Sequence, residues 1–274
     1  MLELALFVVG LVGFGLAGYL DLKHTEFPGW IPYGIIAASV LIFSVDGLIT
    51  NTFSLLINSV LYGLIFLAIG LVMYFSKQWG DGVAWLLGSL GFILPTRLIF
   101  TAQTGLFPFY FVVFFNFLVV CFVYIVAYCL VIGLRCQKVR RLFVSELRKG
   151  YVHKAFSVAV LSAFCIAFYF YFNSILTSTA TNYLLLLPGV FVFFILMTDY
   201  AKVIEHNMFR KRVLTKNLKP GDVVFGGKWT GLTNKDIKKI KKKHVIVKEG
   251  VRLAPVFLIT LLLTILFGGL VWFV

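Results

Sequence analysis

Long apolar runs separated by short polar stretches fill most of this sequence of 274 residues. A helix needs roughly 20 apolar residues to cross a membrane, because about 1.5 Å of rise per residue must span about 30 Å of hydrocarbon. Eight runs approach that length, at residues 2–20, 30–49, 53–75, 82–100, 108–134, 155–177, 183–201 and 253–274. The pattern predicts an all-α polytopic membrane protein with about eight transmembrane helices, in keeping with 61% hydrophobic residues.

The polar stretch 202–251 has a different pattern, with turn residues between short apolar runs. Turns are expected at Lys219–Asp222 and Gly226–Gly227, with strands at Val223–Phe225 and His244–Val247 and a short helix from Thr233 to about Lys243. This predicts a small cytoplasmic α+β insert before the last helix. Five segments are expected: a catalytic membrane core at 1–134, a basic connector at 135–154, an extra transmembrane hairpin at 155–201, the basic insert at 202–251 and a last helix at 252–274.

Positive charge is concentrated in two of these polar stretches. Of the 25 Lys and Arg residues, 7 lie in 135–154 and 15 in 202–252. Because cytoplasmic loops carry an excess of Lys and Arg, eight spans with both termini outside would place these clusters in the cytoplasm of a cell membrane protein. The net charge of +14 is then accounted for by orientation and by anionic membrane lipids as partners, without nucleic acid.

The four cysteines lie in or beside predicted spans and form no Cys-x-x-Cys pair. Metal ligation and a disulfide framework are therefore not expected. The four histidines fall in predicted loops or at their edges, and no Ser-His or Cys-His arrangement competes for a catalytic role. We expect a protein without a cofactor.

Two aspartates, Asp21 and Asp81, lie at the ends of predicted spans on the same, cytoplasmic, side. Carboxylates at a membrane edge are costly and point to function. Each has a plainer alternative. Asp21 would be a solvated loop residue paired with Lys23, and Asp81 would cap a helix N-terminus. As a pair they predict a catalytic dyad, and Gly80 and Gly82 leave room beside Asp81 for an extended substrate backbone.

The two segments resemble a known family of membrane proteases. Asp21, followed seven residues later by Pro28 and then by Gly29 and Trp30, resembles the first-aspartate segment of type IV prepilin peptidases and archaeal preflagellin peptidases. Trp79-Gly80-Asp81 resembles the Gly-x-Gly-Asp segment that they share with presenilin, although Gln78 stands at the first glycine. The archaeal enzymes also carry a small cytoplasmic domain before their last span, as is expected here.

The resemblance implies an activity and a set of site residues. It implies an aspartyl endopeptidase that removes short basic, glycine-ended leader peptides from pilin or archaellin precursors, without methyltransferase activity. Pro28 belongs to the first motif. Ala254-Pro255 is similar to the proline segment that shapes the presenilin site, although a proline is also common at the start of an ordinary helix. Two close carboxyls would share one proton, so that one activates water while the other protonates the scissile carbonyl.

Two other functions stay open from the sequence alone. A presenilin-like enzyme would cut inside substrate helices, whereas the spacing of Asp21 and Pro28 favours the prepilin branch. A transporter or channel would use the acidic pair for protons or cations, although both aspartates fall at span ends rather than near the midplane. Asp199, with Lys202 and Arg210 nearby, is a further candidate carboxylate.

Overall fold

The computed structural model describes residues 2–95, 108–172, 187–218, 223–225, 232, 234–240, 242–248 and 250–268. Within these ranges the chain is largely helical. The helices are α1 (Leu2–His24), α2 (Trp30–Thr50), α3 (Ser54–Phe75), α4 (Asp81–Ile93), α5 (Phe109–Arg135), α6 (Gln137–Arg148), α7 (Tyr151–Phe172), α8 (Leu187–Asn207), α9 (Asn234–Lys239) and α10 (Ala254–Phe267). Three strands complete it: β1 (Arg210–Leu214), β2 (Val223–Val224) and β3 (His244–Lys248).

Five of the described helices are long and apolar enough to cross a membrane. They are α1, α2, α3, α5 and the Tyr151–Phe170 part of α7, while α4 and α10 are apolar but shorter. The structure is therefore consistent with the predicted all-α membrane protein, but the count of eight spans is not confirmed. Parts of four predicted spans lie outside the described residues, at 96–100, 173–177, 183–186 and 269–274.

The fourth predicted span differs from the helix that forms there. α4 ends at Ile93, and Leu94 leaves the helical region with φ −118° and ψ 59°. Pro95 follows, and the ring of a proline disfavours helical geometry in the residue before it. The sequence-based expectation of a continuous helix to residue 100 overlooked this stop. α10, by contrast, begins where proline is tolerated, with Pro255 in its first turn.

The chain divides into two compact units, Met1–Ile125 with Val251–Val274, and Val126–Gly250. In the first unit, a series of aromatic contacts connects helices that are distant in sequence. Phe14 of α1 stacks on Phe257 of α10 at 6.0 Å between ring centroids, Phe257 stacks on Phe117 of α5 at 5.2 Å, and Trp79 meets Phe117 edge-on at 5.8 Å. Trp79 immediately precedes Gly80-Asp81, so this core fixes the position of the loop before α4. The five predicted domain segments stay a prediction.

α3 and α4 pack with their backbones in close approach. A Cβ atom built on Gly70 of α3 would lie 2.8 Å from the carbonyl oxygen of Ala84 in α4. At the other end of the pair, the Ser59 hydroxyl donates a 2.6 Å hydrogen bond to the Phe92 carbonyl. Small residues allow such approach between helices in membranes, where packing and hydrogen bonds replace the hydrophobic effect.

The second unit contains an amphipathic helix where the sequence predicted only a basic connector. α6 buries Val139 against Val203 and Ile204 of α8, and Phe143 meets Tyr200 edge-on at 5.1 Å between ring centroids. Val139 and Phe143 are spaced by four residues, which is the helical spacing that would have indicated α6.

The three strands form one antiparallel sheet in the order β1-β3-β2, with Arg210 opposite Lys248 and Val224 opposite Val247. The strands predicted near β2 and β3 are confirmed, but β1 was missed because Arg and Lys are uncommon in strands. α9 is shorter than expected, ending at Lys239 rather than Lys243. The predicted turns at Lys219–Asp222 and Gly226–Gly227, and Thr233 of the helix start, lie outside the described residues.

Candidate functional site

Asp21 lies one turn before the end of α1 and is buried, with 6% of its surface exposed. Its carboxylate accepts a 2.9 Å hydrogen bond from the backbone N–H of Ala254. Ala254 is the first residue of α10, where N–H groups have no partner within the helix. Asp21 thus supplies a cap to a helix at the other end of the sequence. A solvated Asp21 paired with Lys23 does not fit, since the Lys23 ammonium contacts Tyr19 instead.

Two further contacts join this end of α1 to the start of α10 and the residues just before it. A Cβ atom on Gly18 would lie 3.2 Å from the Cα of Pro255, so α1 and α10 touch at this level. The Arg252 guanidinium donates to the carbonyl of Leu22, which brings a positive charge to the turn next to Asp21. Ala254 therefore contacts Asp21 directly, Pro255 contacts Gly18 one turn earlier in α1, and Arg252 is a neighbour that the sequence did not indicate.

Asp81 has a different environment from Asp21. It is the first residue of α4, it is exposed, and its carboxylate accepts a 2.8 Å hydrogen bond from the backbone N–H of Gly82. An anion is favourable at a helix N-terminus, but the N-cap of α4 is Gly80, so Asp81 stabilises the helix as a first-turn anion and not as its cap. Gly80 precedes the helix in an extended conformation, with φ −75° and ψ 159°, and a Cβ atom there would meet nothing within 4 Å.

One aromatic side chain connects the two aspartate segments. Phe27 belongs to the stretch between α1 and α2, six residues after Asp21, and its ring lies against Gly82 at the start of α4. A Cβ atom on Gly82 would be 2.8 Å from the Cζ atom of Phe27. Pro28 follows in the same stretch, and its carbonyl accepts a 3.2 Å hydrogen bond from Ile31 at the start of α2.

The turn that follows Asp21 is conformationally strained. Thr25 has a φ of +66°, and its N–H donates a 2.9 Å hydrogen bond to the Asp21 carbonyl. A β-branched residue rarely adopts this left-handed conformation, and such strain is concentrated at functional sites. Lys77, shortly before Asp81, also has a positive φ, of 62°. Both aspartates thus lie within four residues of a left-handed residue.

Thr25→Gly is expected to raise the free energy of unfolding by up to about 1 kcal/mol, since glycine adopts a positive φ without the steric cost. Thr50→Gly is the matched control, because Thr50 ends α2 in helical geometry and glycine there should lower stability by about 0.5–1 kcal/mol. Thermal unfolding in detergent, followed by circular dichroism, compares the two. Equal destabilisation by both changes would show that Thr25 is not strained.

The site is made of side chains and backbone groups from α1, α4, α10 and the stretch after α1. Within the described ranges, no three His, Cys, Asp or Glu residues are grouped as metal ligands would be. The predicted absence of a cofactor stays a prediction. No protein-family model matches this chain, and no curated protein or solved structure is significantly similar to it. The resemblance to prepilin peptidases therefore rests on its motif residues.

Proposed function

We propose that this protein is a membrane-embedded aspartyl endopeptidase with Asp21 and Asp81 as its catalytic carboxyls. The observation that carries the proposal is the contact between Phe27 and Gly82. It joins the segment after Asp21 to the first turn of α4, which begins with Asp81. The burial of Asp21 adds support. Burying a carboxylate in a membrane protein is costly, so a buried aspartate is a candidate for a catalytic role, whereas an exposed one mainly adds solubility.

The proposed reaction needs only the two carboxyls and water. The ionised carboxyl takes a proton from water as the water oxygen attacks the carbon of the scissile carbonyl, and the protonated carboxyl donates to the carbonyl oxygen. The resulting gem-diol collapses as its C–N bond breaks: the leaving amine takes a proton from one carboxyl, while one hydroxyl returns its proton to the other, which restores the singly protonated dyad. The Asp81 side chain is exposed at the surface of the chain, and the hydrogen bond from Gly82 holds its carboxylate at the helix start.

We further propose that the substrates are prepilin-like or preflagellin-like precursors, cut at the cytoplasmic membrane face. In these precursors, a short basic leader precedes a hydrophobic segment. The site supports this assignment by its position, since Asp21 lies near the end of α1 and Asp81 at the beginning of α4. The concentration of Lys and Arg in 135–154 and 202–252 supports the cytoplasmic orientation of that end under the expected topology.

A purely structural role for both aspartates is the second candidate, and specific contacts favour it. Asp21 accepts from Ala254 at the start of α10, and Asp81 accepts from Gly82 in its own helix. Stabilisation of two helix N-termini by nearby carboxylates accounts for both hydrogen bonds. The two candidates differ in what a side-chain amide can do: asparagine still accepts these hydrogen bonds, but it cannot transfer protons in the reaction.

Cleavage by the full chain tests the proposal. Membranes that contain the wild type are mixed with a prepilin and with a preflagellin precursor, and leader removal is followed on gels. Asp21→Asn and Asp81→Asn should each lower the cleavage rate by about 10²–10⁴-fold or more, which is the usual contribution of acid–base catalysis. Glu26→Gln is the matched control. It removes an exposed carboxylate from the same stretch as Phe27 and should leave the rate unchanged.

Two results would contradict the proposal. Cleavage at the wild-type rate by either asparagine variant would exclude the paired-carboxyl mechanism and favour the capping role. If the wild type removes no leader from either precursor while its aspartates are intact, the substrate class is wrong, and proton or cation flux in liposomes becomes the comparison to make.

A further inference from the structure

α6 occupies a position that restricts it to the boundary of a membrane. It begins at Gln137, two residues after α5 ends, and stops at Arg148, three residues before α7 begins. Both α5 and α7 are long and apolar enough to cross a membrane. A twelve-residue helix with such short connections to two spans must lie close to where those spans leave the hydrocarbon.

The two faces of α6 differ sharply in character. One face buries Val139 completely and packs Phe143 against Tyr200 of α8. The opposite face forms an open groove of about 650 Å³, lined by Gln137, Arg140, Arg141, Val144, Ser145 and Arg148. Its three arginines are exposed. A helix with an anchored apolar face and a basic polar face is typical of a membrane surface element.

The three arginines have no acidic partner among the residues that the structure describes. The ion pairs among these described residues join Lys149 to Glu146, Lys154 and Lys202 to Asp199, and Arg210 to Glu205. None of these pairs includes an arginine of the groove. Three exposed guanidinium groups on one helix face repel one another, so an external anion would lower their electrostatic energy.

The helix that carries the groove, α6, is held in place by contacts with its neighbouring helices. The Lys154 ammonium, from α7, lies 2.5 Å from the buried carboxylate of Asp199 in α8 and 3.2 Å from the Glu146 carbonyl in α6. Tyr200 of α8 in turn donates a 3.1 Å hydrogen bond to the Cys129 carbonyl of α5. These contacts connect α6 to α7 directly and to α8 through Lys154, and they connect α8 in turn to α5. Asp199, a candidate third carboxylate from the sequence, is thus engaged in supporting α6.

We propose that the groove formed by Arg140, Arg141 and Arg148 binds the phosphate of an anionic phospholipid headgroup. Guanidinium groups match phosphate oxygens in paired, charge-assisted hydrogen bonds. Val144, 50% exposed between the arginines, offers an apolar contact to the upper part of an acyl chain. The position at the membrane boundary selects a lipid over a free anion. This site is independent of the proposed protease activity.

Lipid binding by the detergent-solubilised full chain tests this site. The probe is a fluorescently labelled phosphatidylglycerol, and its anisotropy is followed as protein is added. Changing Arg140, Arg141 and Arg148 together to Gln should weaken binding roughly tenfold to a hundredfold, since each basic residue near a membrane surface contributes measurably. Unlabelled phosphatidylglycerol should displace the probe, whereas phosphatidylcholine and inorganic phosphate at the same concentration should not.

A matched variant distinguishes lipid binding at the arginine groove from general attraction by positive charge. Lys235, Lys238 and Lys239 are exposed on α9, and their joint change to Gln removes the same charge elsewhere in the unit. It should change the affinity less than twofold. Equal weakening by both triple variants, unchanged binding by the arginine variant, or displacement by phosphatidylcholine or inorganic phosphate would each overturn the proposal. Arg141→Gln alone, expected to weaken binding several-fold, carries the test if the triple arginine variant does not fold.

Discussion

Asp21→Ala is expected to lower the free energy of unfolding by about 1–3 kcal/mol, because it leaves the buried N–H of Ala254 without its acceptor. Asp21→Asn keeps an oxygen at the same place and should stay within about 1 kcal/mol of the wild type, since amide oxygens accept the same bond. Both changes should abolish leader cleavage. The pair therefore separates what Asp21 does for the fold from what it does in the reaction.

Thermal unfolding in detergent and the cleavage assay are measured on the same preparations of the wild type and the two variants. Loss of cleavage by Asp21→Asn at preserved stability would assign a catalytic role. Retained cleavage by Asp21→Asn would leave Asp21 with the capping role alone. If Asp21→Ala is as stable as the wild type, the hydrogen bond to Ala254 contributes little, and the connection between α1 and α10 depends on other contacts such as Gly18 with Pro255.

Gly70→Ala is expected to lower the free energy of unfolding by about 1–3 kcal/mol or more, which is the usual cost of overpacking. The added methyl group would lie 2.8 Å from the Ala84 carbonyl oxygen and 2.9 Å from its Cα. These are backbone atoms, so α4 must shift as a whole. Since Asp81 begins α4, three residues before Ala84, the shift should also slow cleavage.

Gly15→Ala is the matched control for Gly70→Ala. Gly15 also lies within a membrane-length helix, but a Cβ atom there would meet nothing within 4 Å. Alanine should be neutral there or stabilising by up to about 1 kcal/mol, because it favours helix more than glycine does. Thermal unfolding of both variants decides the matter. Comparable stability of the two would mean that α3 and α4 are not in close backbone contact.

Local sequence patterns were informative where local physics decides the structure. The apolar runs predicted α1, α2, α3 and α5 to within a few residues at each end, because membrane-length helices need only an uninterrupted apolar composition. α6 and β1 were missed, since their basic residues conceal the short apolar patterns beneath. The end of α4 depended on a single residue, Pro95, inside an otherwise apolar run.

The sequence indicates the candidate pair of aspartates but not the contacts that each of them makes. Counting spans predicts that Asp21 and Asp81 lie on the same side of the membrane, and this stays a prediction, while the structure shows that their segments meet through Phe27 and Gly82. The burial of Asp21 and its bond to Ala254 depend on the packing of α1 against α10. Nothing in the stretch around residue 21 encodes that partner, because packing between distant segments is a property of the whole fold.

The bond between Asp21 and Ala254 joins positions that are 233 residues apart. At a synthesis rate of about 5–20 residues per second, roughly ten to fifty seconds pass between the emergence of the two residues from the ribosome. During that time α1 is present without α10, and the Asp21 carboxylate lacks its donor. The order of synthesis thus sets the delay before Ala254 can donate to Asp21. However early the first helices are inserted, the contact between Asp21 and the start of α10 therefore forms only after residue 254 has been made.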